Sequence, residues 1–147
     1  MKNTLLLLLF FCFACKGQKE MLKKEPPNKN NDLTLLIEDN YSGLNTAENI
    51  IIRDQKTLDS FFSKINRTRK PGIPVPKTNF SEEVLIIVCE GEHVQSKSTG
   101  LVVLKETEKA IELQIVKQTT KSDSNALVSP FKVYKFPLSK KEIVFKK

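Results

Sequence analysis

The chain has 147 residues, 39% of them hydrophobic and 28% charged, with three cysteines and a formal net charge of +7. This length supports one domain with a modest core. The charge invites a nucleic-acid reading until it is divided along the chain. Lys2 belongs to the leader, residues 16–31 hold five lysines against Glu20 and Glu25, and residues 32–147 hold 18 basic against 15 acidic side chains. A net +3 over the folded part is too weak a field to argue for phosphate binding, and the leader argues against nucleic acid as a partner.

Residues 1–14 read as a signal peptide. Lys2 precedes an unbroken apolar run from Leu5 to Ala14, and the chain turns polar directly after Cys15, at Lys16-Gly17-Gln18-Lys19-Glu20. A positive start, a short apolar core and a small residue before the break are the form of a secretory signal. The run is about half the roughly 20 residues a membrane-spanning helix needs. Ala14-Cys15 resembles the acylation site of a bacterial lipoprotein, although Cys12 stands where such signals usually carry an aliphatic residue. The resemblance implies that the Cys15 thiol takes a diacylglycerol and that the mature chain starts there, held to the bacterial cell envelope, at the outer membrane. Each buried methylene contributes about 0.8 kcal/mol, and two or three acyl chains anchor stably where one does not. The alternative is an ordinary cleaved leader without lipid.

Residues 15–31 follow as the lipidated cysteine and a flexible basic tether. Pro26-Pro27-Asn28-Lys29-Asn30-Asn31 lacks apolar periodicity and is rich in breakers. The domain spans 32–147. Leu33-Thr34-Leu35-Leu36-Ile37 is a first strand, Asn40-Tyr41-Ser42-Gly43 a turn, and Asn49-Ile50-Ile51-Ile52-Arg53 a second strand of β-branched residues. Asp54 is placed to cap a helix in which Leu58, Phe61, Phe62 and Ile65 form one apolar face. Residues 66–79 are a basic, proline-stiffened loop.

Val84-Leu85-Ile86-Ile87-Val88-Cys89 has no polar alternation and reads as a central strand buried on both faces. Glu90-Gly91-Glu92 ends it, and His93 to Thr99 reads as polar loop. Gly100 to Leu104 is a fourth strand. Ala110 to Lys117 is a fifth, with Ile111, Leu113 and Ile115 on one face. Residues 118–125 are a polar loop. Ala126 to Phe136 is a strand with Pro130 inside it, so it is either an edge strand or bulged at that point. Ile143-Val144-Phe145 is a short last strand. The fold class is α+β: a mostly antiparallel β-sheet with one amphipathic helix packed on it.

Little here carries chemistry. Cys12 leaves with the leader and Cys15 is the acylation candidate, so Cys89 stands alone and no internal disulfide forms. Cys89-x-x-x-His93 has the spacing of a nucleophile pair, yet Cys89 ends a buried strand, where thiols are inert packing. A zinc site needs about four ligands, and the domain has no further Cys or His. Glu82/Glu83 and Glu90/Glu92 flank the core strand and read as solvated strand ends rather than as an acid–base pair. Ser124 and Ser129 lie in no Gly-x-Ser-x-Gly context, and no phosphate loop occurs. No cofactor is expected.

Several stretches resemble the PrcB family, named for an accessory subunit of a secreted protease complex. They are Tyr41-Ser42-Gly43, the aromatic helix from Lys56 to Phe62, Asn79-Phe80-Ser81-Glu82-Glu83 with the apolar run to Val88, Gly91, and Ser129-Pro130-Phe131-Lys132-Val133-Tyr134 through Pro137, together spanning 41 to 145. The family has Asp where Asn79 stands, and Thr-Gly-Gly-Tyr where this chain has Ser98-Thr99-Gly100-Leu101. The resemblance implies a non-enzymatic accessory protein that binds another exported protein, such as a protease. The surfaces expected to do so are the loops 91–100 and 118–130 and the strand 131–136, with His93, Lys97, Thr99, Gly100, Pro130, Phe131 and Tyr134 as candidate contact residues. The other reading is an envelope ligand- or glycan-binding lipoprotein with a pocket beside the central strand. Anchoring is tested directly: a clickable palmitate analogue fed to producing cells labels the protein, and Cys15→Ser abolishes the label and moves the protein out of the membrane fraction.

Overall fold

The computed structural model describes residues 32–94, 97–119 and 126–146; the signal peptide, Cys15, the tether 16–31 and Ser124 lie outside these. The elements run β1 (Thr34–Asp39), β2 (Glu48–Ile52), α1 (Gln55–Ile65), β3 (Glu83–Cys89), β4 (His93–Val94), β5 (Lys97–Glu106), β6 (Ala110–Thr119), β7 (Leu127–Val128), β8 (Phe131–Pro137) and β9 (Glu142–Lys146). One sheet has the order β1-β8-β3-β2, antiparallel throughout. A second has the order β5-β6-β9, antiparallel between β5 and β6 and parallel between β6 and β9. The fold is α+β, mostly antiparallel sheet with one helix.

Alternate side chains of β3 point to opposite layers. Leu85, Ile87 and Cys89 pack with Leu58, Phe61, Phe62 and Ile65 of α1, while Val84, Ile86 and Val88 pack with Leu101, Ile111, Leu113 and Ile143 of the second sheet. The helix, the four-stranded sheet and the three-stranded sheet are therefore three layers with β3 in the middle. Each such side chain contributes about 1.5–3 kcal/mol when fully buried. The helix forms as its sequence requires. Asp54 accepts from the Thr57 amide and hydroxyl, both at 2.8 Å, and the four apolar residues are all buried.

The structure corrects two expectations. The stretch 126–136 is interrupted rather than continuous, and β8 is no edge: it is paired to β1 on one side and β3 on the other. Proline has no N–H to give a ladder. It stands before the strand begins, where its carbonyl accepts from the Glu90 amide at 2.9 Å, so Phe131 to Pro137 is left free to pair on both sides. The stretch 93–99 is not loop throughout, since His93–Val94 is a strand and Lys97 to Thr99 open β5, opposite Thr119, Gln118 and Lys117.

The outer edge at β1 is closed by a charge clamp. The Arg69 guanidinium grips both carboxylate oxygens of Asp39, donates to the Tyr41 carbonyl and lies over the Tyr41 ring at 5.6 Å. Burial raises the Asp39 pKa, the Arg69 hydrogen bonds and the Tyr41 amide lower it, and the lowering wins. A depressed folded-state pKa contributes stability above the unfolded pKa, and that stability is lost as the pH falls through the folded one. Asp39→Asn should therefore cost about 1–2 kcal/mol at neutral pH. Its deficit relative to the parent should close below about pH 4. Chemical denaturation at stepped pH measures both.

Candidate interaction surface

The break between β7 and β8 builds the surface. Between the pairs Cys89↔Phe131 and His93↔Val128, three residues (90–92) face two (129–130), which is a one-residue bulge. Gly91 takes φ +73°, and a Cβ there would stand 2.7 Å from the Ala47 backbone nitrogen, so only glycine passes this point without a clash. On the other strand Ser129 is pinned. Its Oγ accepts from the amides of Ser42 (3.2 Å) and Gly43 (3.1 Å), and its own amide donates to the Asn40 carbonyl. Tyr41-Ser42-Gly43 and Ser129-Pro130 thus meet in space although 86 residues separate Gly43 from Ser129.

Beyond the bulge the two strands leave the sheet as a ribbon, β4 against β7, so the stretches around 93 and 127 come together. Val94 and Leu127 are directly opposite each other and are 51% and 64% exposed. Opposed residues in an antiparallel pair place their side chains on the same face. Two apolar side chains therefore stand together in solvent at one end of the molecule.

Glu90 fixes the root of the ribbon. Its side chain is 7% exposed, and Oε1 accepts from the Thr99 amide (3.1 Å) and hydroxyl (2.7 Å), tying β5 to the end of β3. His93 Nδ1 faces the Gly91 carbonyl at 3.2 Å, so Nδ1 carries the proton, and Nε2 lies 3.8 Å from Glu90 Oε2.

The candidate contact residues divide accordingly. His93, Thr99 and Gly100 lie around the ribbon's root, His93 and Thr99 through Glu90 and Gly100 as the next residue of β5. Lys97 is in the backbone of β5 opposite Thr119, and its side chain lies outside what the structure describes. Pro130, Phe131 and Tyr134 are corrected: Pro130 is buried, Phe131 is 0% exposed in the helix-side core, and Tyr134 is 7% exposed against the second sheet, where burial pushes its phenol up. They are interior because β8 is interior.

The other chemistry-bearing residues are occupied. Glu83 pairs with Lys135 at 2.8 Å and stands at the far end of β3 from Glu90, about 20 Å away for a seven-residue strand. The carboxylates flanking β3 are therefore not one acid–base site. Val84 to Cys89 are covered on both faces, none of them more than 3% exposed. Among the described residues no group of three or more His, Cys, Asp or Glu side chains is placed to hold a metal, and no helix is long and apolar enough to cross a membrane. Asn79 accepts from the Ser81 amide and hydroxyl through Oδ1.

Val94 escapes the sequence because it is a single apolar residue in a stretch expected to be polar loop, and Leu127 because Ala126-Leu127-Val128 is expected to be part of a strand.

No protein-family profile, no curated protein and no solved structure matches this chain.

Cys89 is buried against α1, and burial first, then the nearby Glu48 charge, pushes its thiol up to about 12. A maleimide at mildly alkaline pH should leave Cys89 unmodified in the native protein and modify it fully in strong denaturant, as read by peptide mass spectrometry.

Proposed function

We propose that this protein is a lipid-anchored accessory domain of the bacterial cell envelope that binds another exported protein and performs no chemistry of its own. The observation that carries the reading is the paired exposure of Val94 and Leu127 on a ribbon held out from the sheet. Two adjacent apolar side chains in water offer a partner apolar surface to bury. The residues with reactive potential support the same reading. Cys89 is buried, Ser129 serves two backbone amides, and Glu90 is committed to Thr99. The PrcB-like stretches suggest the class of partner, an exported protease or its complex, and Cys15 supplies the membrane attachment.

The test is site-specific photo-crosslinking in intact cells from Val94 and Leu127, with Leu138, exposed near the Glu82 end of β3, as the control position. An exported protein should attach from 94 and 127, not from 138, and Cys15→Ser should reduce the yield. No attachment from the ribbon, or equal attachment from 138, counts against the proposal.

A further inference from the structure

The four-stranded sheet has two edges, and they are built differently. At β1 the ladder to β8 is bulged between Leu35 and Ile37, and the Arg69 clamp grips Asp39 at its end. Bulges and charges at an edge are the devices by which proteins refuse further strands. At β2 there is no bulge, and its one charge, Glu48, stands at the strand's first residue. Its register with β3 runs without a shift from Glu48↔Cys89 to Ile52↔Leu85, and Ile50-Ile51-Ile52 carries no charge and no proline. Among the described residues β2 pairs with β3 alone. Its outer edge is a flat row of backbone donors and acceptors.

That open edge borders a groove of about 540 Å³ between β2 and α1. Partly exposed Ile50 gives it apolar surface above the buried Ile52 and Phe61, and Lys56, Thr57, Ser60 and Lys64 lie along its helix side. Its one carboxylate, Asp54, accepts from the Thr57 amide and hydroxyl and acts electrostatically on Lys56. Two cations therefore stand against one carboxylate, and the lining is net positive.

We infer that the β2–α1 groove binds an extended acidic segment of a partner protein by adding it as a fifth strand beside β2. The backbone edge supplies affinity and the groove supplies selectivity, as in other strand-addition sites. The spacing specifies the segment. Lys56 and Lys64 are eight residues apart on one helix, about 12 Å at 1.5 Å per residue. Side chains on one face of a strand recur every second residue, so positions i and i+4 are about 13 Å apart. For a segment running along the helix axis, acidic residues at i and i+4 match the spacing of the two lysines, and an apolar residue at i+2 falls over Ile50. The recognised pattern is acidic-x-apolar-x-acidic. This site lies apart from the ribbon of Val94 and Leu127, so the two proposals stand or fall separately.

The test is amide chemical-shift mapping on the isotope-labelled full chain in detergent micelles. The probe is the peptide Thr-Asp-Thr-Val-Thr-Glu-Thr. Its controls are a version with lysine in both acidic positions and a version with alternate backbone amides methylated. The acidic peptide should shift the amides of 48–52 and of α1. Joint replacement Lys56→Glu and Lys64→Glu, both solvent-facing, should weaken it about tenfold. The methylated and lysine versions should each bind more weakly by a similar factor. Unmoved amides at 48–52 with millimolar peptide would overturn the inference, as would equal binding of the lysine version. Self-association that shifts the same amides in the absence of peptide would assign the edge to a second copy of the chain, and would overturn it too. Ribbon crosslinks that persist with the groove variant would leave the accessory-protein proposal intact.

Discussion

Val84 to Cys89 carry apolar side chains on both faces of one strand, and water leaves both faces only if a layer lies on each side. That constraint organises the molecule. The helix covers one face and the three-stranded sheet covers the other. β8 obeys the same rule, with Phe131 and Val133 on the helix side and Tyr134 and Phe136 on the sheet side. Two adjacent strands apolar on both faces belong in the middle of a sheet, and β1 and β2, with more exposed residues, become its borders. Lys132 is a buried charge on β8, and its ammonium reaches Glu38 at 2.9 Å on the neighbouring strand, consistent with the rule that a buried charge is paired.

The surface features follow from how this central pair ends. Gly91 on one strand and Ser129-Pro130 on the other interrupt the β3–β8 ladder at the same level, and the strands continue as the β4–β7 ribbon out of the sheet. Glu90 and Ser129 then use their side chains to brace the departure, each on two groups from other segments. Polar residues that resemble catalytic candidates in the sequence are spent on backbone amides and a threonine. The surface carries two exposed apolar side chains at the ribbon, and a groove with two lysines beside the regular edge strand β2.

Recognition surfaces of this modest size gain from being held where the partner is. A lipid on Cys15 would confine the domain to the membrane surface, and the tether of sixteen residues would reach on the order of 50 Å if extended. Confinement raises the effective concentration of a partner at the same membrane without any added contact. In that arrangement weak surfaces suffice.

The helix, the buried strand and the fold class were legible in the residues because their causes are local. Asp54 caps the residues just after it, Leu58, Phe61, Phe62 and Ile65 fall on one face at helical spacing, and the absence of alternation in Val84 to Cys89 already demands two covers. Which strands pair with which was not legible. Pro130 read equally as the mark of an edge or of a bulge, and only the partners of β8 on both sides decided between them. Exposure escaped the sequence for the same reason. Leu127 and Val133 are similar apolar residues on one short stretch, yet the first is 64% exposed and the second is fully buried. The sequence determined that apolar surface had to be buried, and only the tertiary structure decided which part was, because cover comes from chain segments far away in sequence.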